Sequence, residues 1–348
     1  MTPVQLAQGP VDAKDIRQTP LAPLALVANS QNSITLPLVG TIIGIEGEIA
    51  INHDNDAVGD TPEEDGLGRI ITSIDIRDGA GYTYFSTQDG RLLQYLTQFT
   101  EGRNAVWPSI LASVTGAGGA RTEYRNFVIC FQDTPVPGGR RDVDPLGGII
   151  TREQGLNELT FQIRMGTFNT LSTAGDLTVN SITLTLTPII VRSQTESGRL
   201  LLERGVAKPM YRGATQAIAV GTAYGYEFDL PRGFLLSKSV LIAVDASNDR
   251  GIIDADIVSA IAYKDVLAGQ IPWEAGWADY RRFLQSRYFG DGVTFTDWCN
   301  VALVDWPGIV GGQGLRRSHR QQNDDVLMFT GAATGSLLML HKGFTRYT

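Results

Sequence analysis

Apolar and polar positions alternate with a period of two through most of this chain, in runs short enough to be strands. SITLPLVGTIIGIEGEIAIN (33–52) sets β-branched residues against Gly, Thr and Glu and predicts one or two strands. RIITSIDIRDGAGYTYFST (69–87) predicts a hairpin with Asp78-Gly79 at its turn. Further strands are predicted at 123–133, 157–168 and 177–191. One stretch follows the helical period instead: DGRLLQYLTQF (89–99) puts Leu92, Leu93, Leu96 and Phe99 on one face, with Asp89 placed to cap it. Many strands, turn clusters between them and one or two short helices predict an all-β sandwich and not an alternating βα fold.

The second half repeats the order of the first. YEFDLPRGFLLSKSVLIAVDASND (226–249) lines up with 33–56, Leu230-Pro231 falling on Leu36-Pro37, and both segments end in an Asn-Asp turn. DIVSAIAYKD (256–265) lines up with the first hairpin strand, WADYRRFLQSRY (277–288) with the helix, and CNVALVDWPG (299–308) with NFVICFQDTP. Two closing strands follow in DDVLMFTGAATGSLLMLHKGFTRY (324–347). Strand, hairpin, helix, strand, loop and closing strands recurring in one order predict a duplicated sandwich. With about eight short strands per unit, the form is two tandem jelly rolls. The expected organisation is an extended arm over 1–30, a first jelly roll over 31–192, a polar connection over 193–220 and a second jelly roll over 221–348.

Length and composition agree. The chain has 348 residues, enough for two domains, and 43% hydrophobic residues, which excludes a disordered chain. Its formal net charge of −8 argues against sequence-specific or broad salt-driven binding of nucleic acid. The first 20 residues hold no continuous apolar segment of a secretory signal, and no run reaches the roughly 18 apolar residues of a membrane helix. The two cysteines, Cys130 and Cys299, stand in apolar strand-like runs without a metal-ligand spacing, and read as buried free thiols.

Catalytic chemistry finds little footing. His53, His319 and His341 form no HxH or HxxxH pair, so the metal set of a two-barrel enzyme is missing, and no GxSxG elbow occurs. GAGG (116–119) lacks the Lys-Ser/Thr of a phosphate loop. Glu274, between Trp273 and Trp277, is the position most suited to the carboxylate chemistry of a carbohydrate-active enzyme; the competing reading makes both tryptophans interdomain or core anchors beside the helix. Two surface features remain. Asp54, Asp56 and Asp60, followed by Glu63, Glu64 and Asp65, form an acidic loop able to gather a hard cation such as Ca²⁺, although without EF-hand spacing; a solvated loop is the alternative. Of the 29 basic residues 24 are Arg, and the pairs Arg140-Arg141, Arg281-Arg282 and Arg316-Arg317 are candidates for contacts between identical neighbours.

IITSIDIRDGAGYTYFSTQDGRLLQYLTQF (70–99) resembles the N-terminal jelly roll of the double jelly-roll major capsid proteins of the corticovirus/tectivirus-like lineage. In that family a strand hairpin runs into a short helix that has an Asp-Gly start, Leu pairs and an aromatic. Ile74, Ile76, Asp89, Leu92, Leu93 and Tyr95 stand in those places here, and the leading arm and LPLVG strand also fit. The resemblance covers roughly residues 30–100 and continues over the rest through the repeat. It implies a structural protein of the virion and not an enzyme: homotrimers of pseudo-hexameric outline, in contact with neighbouring capsomers, penton and minor capsid proteins, tiling an icosahedral shell, commonly around an internal membrane. The alternatives are a spike or minor capsid protein and a double jelly-roll carbohydrate-active enzyme with Glu274 in a cleft at the domain junction.

Overall fold

The structure, a computed structural model, describes residues 13–54, 61–62, 65–101, 120–132, 147–151, 155–174, 177–204, 206–231, 235–250, 256–266, 269–280, 300–306 and 326–346. The first unit contains β1 (Ile16–Gln18), β2 (Leu24–Leu26), β3 (Gln31–Thr35), β4 (Thr41–Asp54), β5 (Thr61–Pro62), α1 (Gly66–Ile70), β6 (Ile71–Asp78), β7 (Thr83–Thr87) and α2 (Gly90–Glu101). It continues with β8 (Ala120–Cys130), β9 (Ile149–Ile150), β10 (Leu159–Met165), β11 (Ser172–Ala174) and β12 (Thr178–Val191). After α3 (Glu196–Arg204), the second unit contains β13 (Ala207–Ile218), β14 (Tyr226–Asp229), β15 (Leu235–Asp245), β16 (Val258–Asp265) and β17 (Gln270–Gly276), then β18 (Val301–Asp305), β19 (Val326–Gly331) and β20 (Gly335–Arg346).

All named strand pairs are antiparallel, and the two units share one topology. In the first, the order β2-β12-β4-β8 makes one sheet and β3-β10-β6-β7 the other; β1 also pairs with β12, and β9 with β4. In the second, β13-β20-β15-β18 and β14-β19-β16-β17 repeat that arrangement strand for strand. Each unit is an eight-stranded jelly roll, with its second and seventh strands adjacent and its first and eighth adjacent. The duplication read from the sequence is a duplication of structure.

Period-two patterning explains why these residues make sheets. In β4, Ile45, Ile49 and Ile51 are fully buried while Glu46, Glu48, Ala50 and Asn52 between them are half-buried on the outer face. β12 does the same with Ile182, Leu184 and Leu186 inside and Thr183, Thr185 and Thr187 outside. Each isoleucine or leucine so buried stabilises the fold by about 1.5–3 kcal/mol. The hairpin turn is set by Asp78, whose Oδ1 accepts from the backbone N–H of Ala80 (3.0 Å) and Tyr82 (2.8 Å). Asp89 caps α2 as expected, its Oδ1 accepting from the N–H of Arg91 at 2.9 Å.

Two parts of the chain differ from the sequence reading. Residues 16–18 and 24–26, read as extended arm, form strands on β12, with Ile16 opposite Val191 and Leu26 opposite Ile182. At three residues each they are too short to show a period. Residues 207–218, read as connection, are the first strand of the second sandwich, paired along their whole length with β20. A bulge between Leu236 and Lys238 shifts the register of β15 against β20, and Ser239 is turned inward, toward His341.

Candidate functional site at the junction of the two sandwiches

The charged and polar residues that this fold buries converge where the first sandwich meets the second. α1 and α2 cross at short range beside β6: a Cβ on Gly90 would lie 2.6 Å from Ile71 Cβ and 2.7 Å from the Gly68 carbonyl oxygen, so this position admits only glycine. That crossing holds Asp65, Arg91, Gln94 and Tyr95 in a buried group. From the second sandwich, the turn after β15 enters it. There Asp245 Oδ1 accepts from the N–H of Ser247 (2.8 Å) and Asp249 (2.9 Å), and Asn248 takes a left-handed φ of 66°.

Two buried arginines, Arg91 of the first sandwich and Arg250 of the second, anchor the contact. Arg91 grips Asp89 with both arms of its guanidinium, Nε to Oδ1 at 3.0 Å and Nη2 to Oδ2 at 2.8 Å. Its other donors reach across the junction, Nη1 to the Asn248 carbonyl at 2.9 Å and Nη2 to Asn248 Oδ1 at 2.7 Å. Burial works to lower the pKa of Arg91, but the charge and hydrogen bonds of Asp89 outweigh it and raise the value. Asp65 Oδ2 accepts from Arg250 Nε at 3.0 Å, while its Oδ1 accepts from Tyr95 Oη at 2.8 Å. Both side chains of the Asp65–Arg250 pair are at most 3% exposed. Asp65 stands before α1 with a left-handed φ of 55° and makes no side-chain cap to that helix. Its carboxylate is committed to the other sandwich instead, a local cost kept for a long-range contact. Toward the rim, Arg69 meets Asp249 at 2.6 Å.

A second, apolar contact lies along β13. Tyr211 is buried with its ring 5.0 Å from Phe85 and 6.4 Å from Phe131, both of the first sandwich, and its hydroxyl donates to the Cys130 carbonyl. Lys342 Nζ donates to the Gln132 carbonyl, and Gly148 N–H to the Ala207 carbonyl at 3.1 Å. Gly147 is required here, because a Cβ would strike both the Phe131 carbonyl and the Phe344 ring. Lys208 Nζ sits 3.2 Å from the centroid of the Tyr82 ring. Burial pushes the Tyr82 hydroxyl up to about 12 and the Lys208 amine down. One contiguous apolar cluster runs through both sandwiches. Among the described residues the junction is therefore filled and hydrogen-bonded.

The candidates read from the sequence are scattered. Asp54 ends β4, paired across the ladder with Ala120 and Thr178, while Asp56 and Asp60 lie outside the described residues. Among the described residues no group of three or more His, Cys, Asp or Glu is arranged to hold a metal ion. Asp65, read as part of the acidic solvated loop, is the buried anchor of the junction. Arg140, Arg141, Arg281, Arg282, Arg316 and Arg317 lie outside the described residues, as do Cys299, His319 and residues 116–119. Cys130 is a buried free thiol. Glu274 is exposed on the edge strand β17, away from the junction, and accepts from Tyr224 Oη at 3.2 Å. Trp277 is fully buried, and Trp273 packs edge-on against Tyr280 at 4.9 Å, so both tryptophans are core anchors.

Sequence reasoning missed Asp65, Arg91, Asn248 and Arg250. Partners 157 and 185 positions apart leave no spacing to read. The available hint was Asp89-Gly-Arg91 at a helix start that must be buried for its leucines to reach a core.

His53 is an inward residue of β4, with Nε2 3.3 Å from Glu123 Oε1. His341 is buried in the core of the second sandwich, stacked on Phe228 with ring centroids 5.4 Å apart. Trp306 Nε1 donates to Ser239 Oγ at 2.7 Å, which leaves the Ser239 hydroxyl to donate to His341 Nδ1, also at 2.7 Å. Burial lowers the His341 pKa to about 3, so the folded state keeps the ring neutral while the unfolded chain takes up a proton below about 6.5. Stability is then complete above pH 6.5 and falls as the pH drops toward 3, by up to about 1.4 kcal/mol per pH unit. Denaturant titrations at pH 7 and pH 5 are expected to show a loss of about 2 kcal/mol that His341→Leu abolishes. An equal loss in the variant would contradict this assignment.

No protein-family model matches the sequence, and no curated protein does. Solved structures do match the fold. The "STIV MCP", from Sulfolobus Turreted Icosahedral Virus, overlays with a TM-score of 0.71 at 13% identity, over 95% of this chain and 97% of that one. The PBCV-1 virus capsid overlays with a TM-score of 0.56 at 12% identity, over 94% and 93%. The major capsid protein P2 from Bacteriophage PM2 gives a TM-score of 0.52 at 16% identity, over 95% and 98%. Two complete jelly rolls in tandem, joined along one filled junction, give this chain the double jelly-roll fold of those viral capsid proteins.

Proposed function

We propose that this chain is a structural major capsid protein of the virion, not an enzyme. It forms homotrimers of pseudo-hexameric outline that pack against neighbouring capsomers, penton and minor capsid proteins to close an icosahedral shell. The observation that carries this reading is the pair of topologically identical sandwiches held side by side by buried Asp65–Arg250 and Arg91–Asn248 contacts. Three such chains present six similar blocks around one axis, the geometry a shell of hexagonal tiles needs. Many weak contacts between tiles then sum to a stable particle.

The unit boundary in this reading falls in α3, between β12 and β13. The resemblance in sequence adds an internal membrane beneath the shell, which lipid analysis of purified particles tests. No helix among the described residues is long and apolar enough to cross a membrane.

Quantifying this chain in purified particles is the test. It should be the most abundant protein, and the isolated chain should form trimers. A minor band would assign it to a spike or minor component, and glycan turnover by the isolated chain would overturn the structural role.

A further inference from the structure

The repeat supplies an internal control for a cavity on the first sandwich. Asn29, Thr72, Ser73, Arg164, Met165 and Gly166 line a cavity of about 310 Å³, at the lower end of the roughly 300–1,000 Å³ usual for small-molecule sites. A bulge between β6 and β10 shapes it: Arg164 faces Ser73 and Met165 faces Ile71, so Thr72 is the extra residue. The β2–β3 turn closes one side. There Asn29, at a left-handed φ of 55°, donates its N–H to the Gly166 carbonyl at 3.1 Å. Gly166 brings no side chain into the cavity; a Cβ there would crowd Thr72 Cγ2 at 3.2 Å.

The second sandwich has the same bulge, with Ser259 as the extra residue between the pairs Val258–Gly331 and Ala260–Thr330. Ser259 Oγ donates to the Thr330 carbonyl at 3.4 Å, as Thr72 Oγ1 donates to the Arg164 carbonyl at 3.2 Å. Tyr224 stands before β14 where Asn29 stands before β3, and takes the same left-handed turn with a φ of 53°. In this second copy the polar groups satisfy one another. Tyr224 N–H donates to Thr330 Oγ1 at 2.7 Å, and Tyr224 Oη to Glu274 at 3.2 Å. In the first copy the place of Thr330 is held by the exposed Arg164. Its guanidinium and the side chains of Asn29 and Ser73 make no hydrogen bond or ion pair among the described residues. Arg69, Arg77, Arg91, Arg125 and Arg250, by contrast, are each matched by a carboxylate. One scaffold is closed on itself, and the other keeps its polar groups for a ligand.

We infer that this cavity binds an acidic saccharide, a ligand that carries a carboxylate and ring hydroxyls together. The Arg164 guanidinium supplies the planar pair of donors that a carboxylate accepts. Thr72 has spent its hydroxyl hydrogen on the Arg164 carbonyl, so it can only accept from a ligand, which calls for a ligand O–H. The Asn29 amide and the Ser73 hydroxyl both donate and accept, as recognition of ring hydroxyls requires. A bare inorganic anion offers acceptors alone and leaves Thr72 unused. The site needs only the folded chain. In the proposed shell every copy repeats it, so weak binding at each site sums to firm attachment.

The test is a titration of the full-length chain with D-glucuronate, followed by saturation-transfer NMR, with D-glucose as the neutral comparison and inorganic sulfate as competitor. Glucuronate is expected to bind, and glucose to bind at least about tenfold more weakly. Arg164→Gln should raise the glucuronate dissociation constant at least about tenfold, while Thr330→Ala, at the matching place in the second sandwich, leaves it unchanged. No binding of glucuronate, or binding that Arg164→Gln leaves intact, would overturn the site. Sulfate that competes as strongly as glucuronate itself would overturn the saccharide assignment. If Arg164→Gln alters the circular dichroism, Ser73→Trp decides by filling the cavity: binding must be lost, and binding that persists overturns the site. Each of these failures leaves the capsid reading in place, because none of them involves assembly.

Discussion

Replacing Asp65 with alanine is expected to destabilise the protein by about 3–5 kcal/mol, the cost of leaving a buried guanidinium without its carboxylate. The loss arises because Arg250 stays in a pocket where its side chain is 2% exposed, and because Tyr95 Oη loses its acceptor at the same time. The pair joins the two sandwiches, so the effect is on their coupling. Calorimetry should show one unfolding transition in the wild type and two in Asp65→Ala, the second sandwich no longer melting with the first. Asp65→Leu combined with Arg250→Met removes both charges and should recover most of the loss, since a buried pair is about neutral against apolar residues of similar size. A single transition in Asp65→Ala, with stability unchanged, would mean that the pair is not what couples the units.

Tyr211→Ala should be of similar size, about 3–5 kcal/mol, because it empties a fully buried aromatic site. The ring bridges Phe85 of β7 and Phe131, the residue that follows β8, both in the first sandwich. Tyr211→Phe keeps that packing and loses the hydrogen bond to the Cys130 carbonyl, for about 1 kcal/mol. Chemical denaturation of the two variants separates the terms. If alanine and phenylalanine cost the same, the hydrogen bond and not the ring packing dominates, and the apolar half of the junction is weaker than its geometry implies.

How much of this was legible in the sequence varied with the physics of each element. Strands with one buried and one exposed face, such as β4, β6, β10 and β12, announced themselves by alternation, and the repeat followed from their order. The first strands of both units did not. β1 and β2 are three residues long, and β13 carries Lys208, Pro209, Arg212 and Gly213 because its outer face meets another sandwich. The junction was the least legible. Asp65 sits in an acidic run that reads as a solvated loop, and only the fold brings Arg250 to it. The Arg pairs were read for contacts between copies and not for this junction, where the buried arginines, Arg91 and Arg250, are single residues placed by a helix start and a turn.

Imaging the purified trimer by cryo-electron microscopy, viewed down its axis, tests directly whether two equivalent blocks per chain stand side by side. Six lobes of nearly equal size around a threefold axis are expected, with each junction inside a chain resembling each junction between chains. Three lobes, or six that fall into two unlike sets, would contradict it.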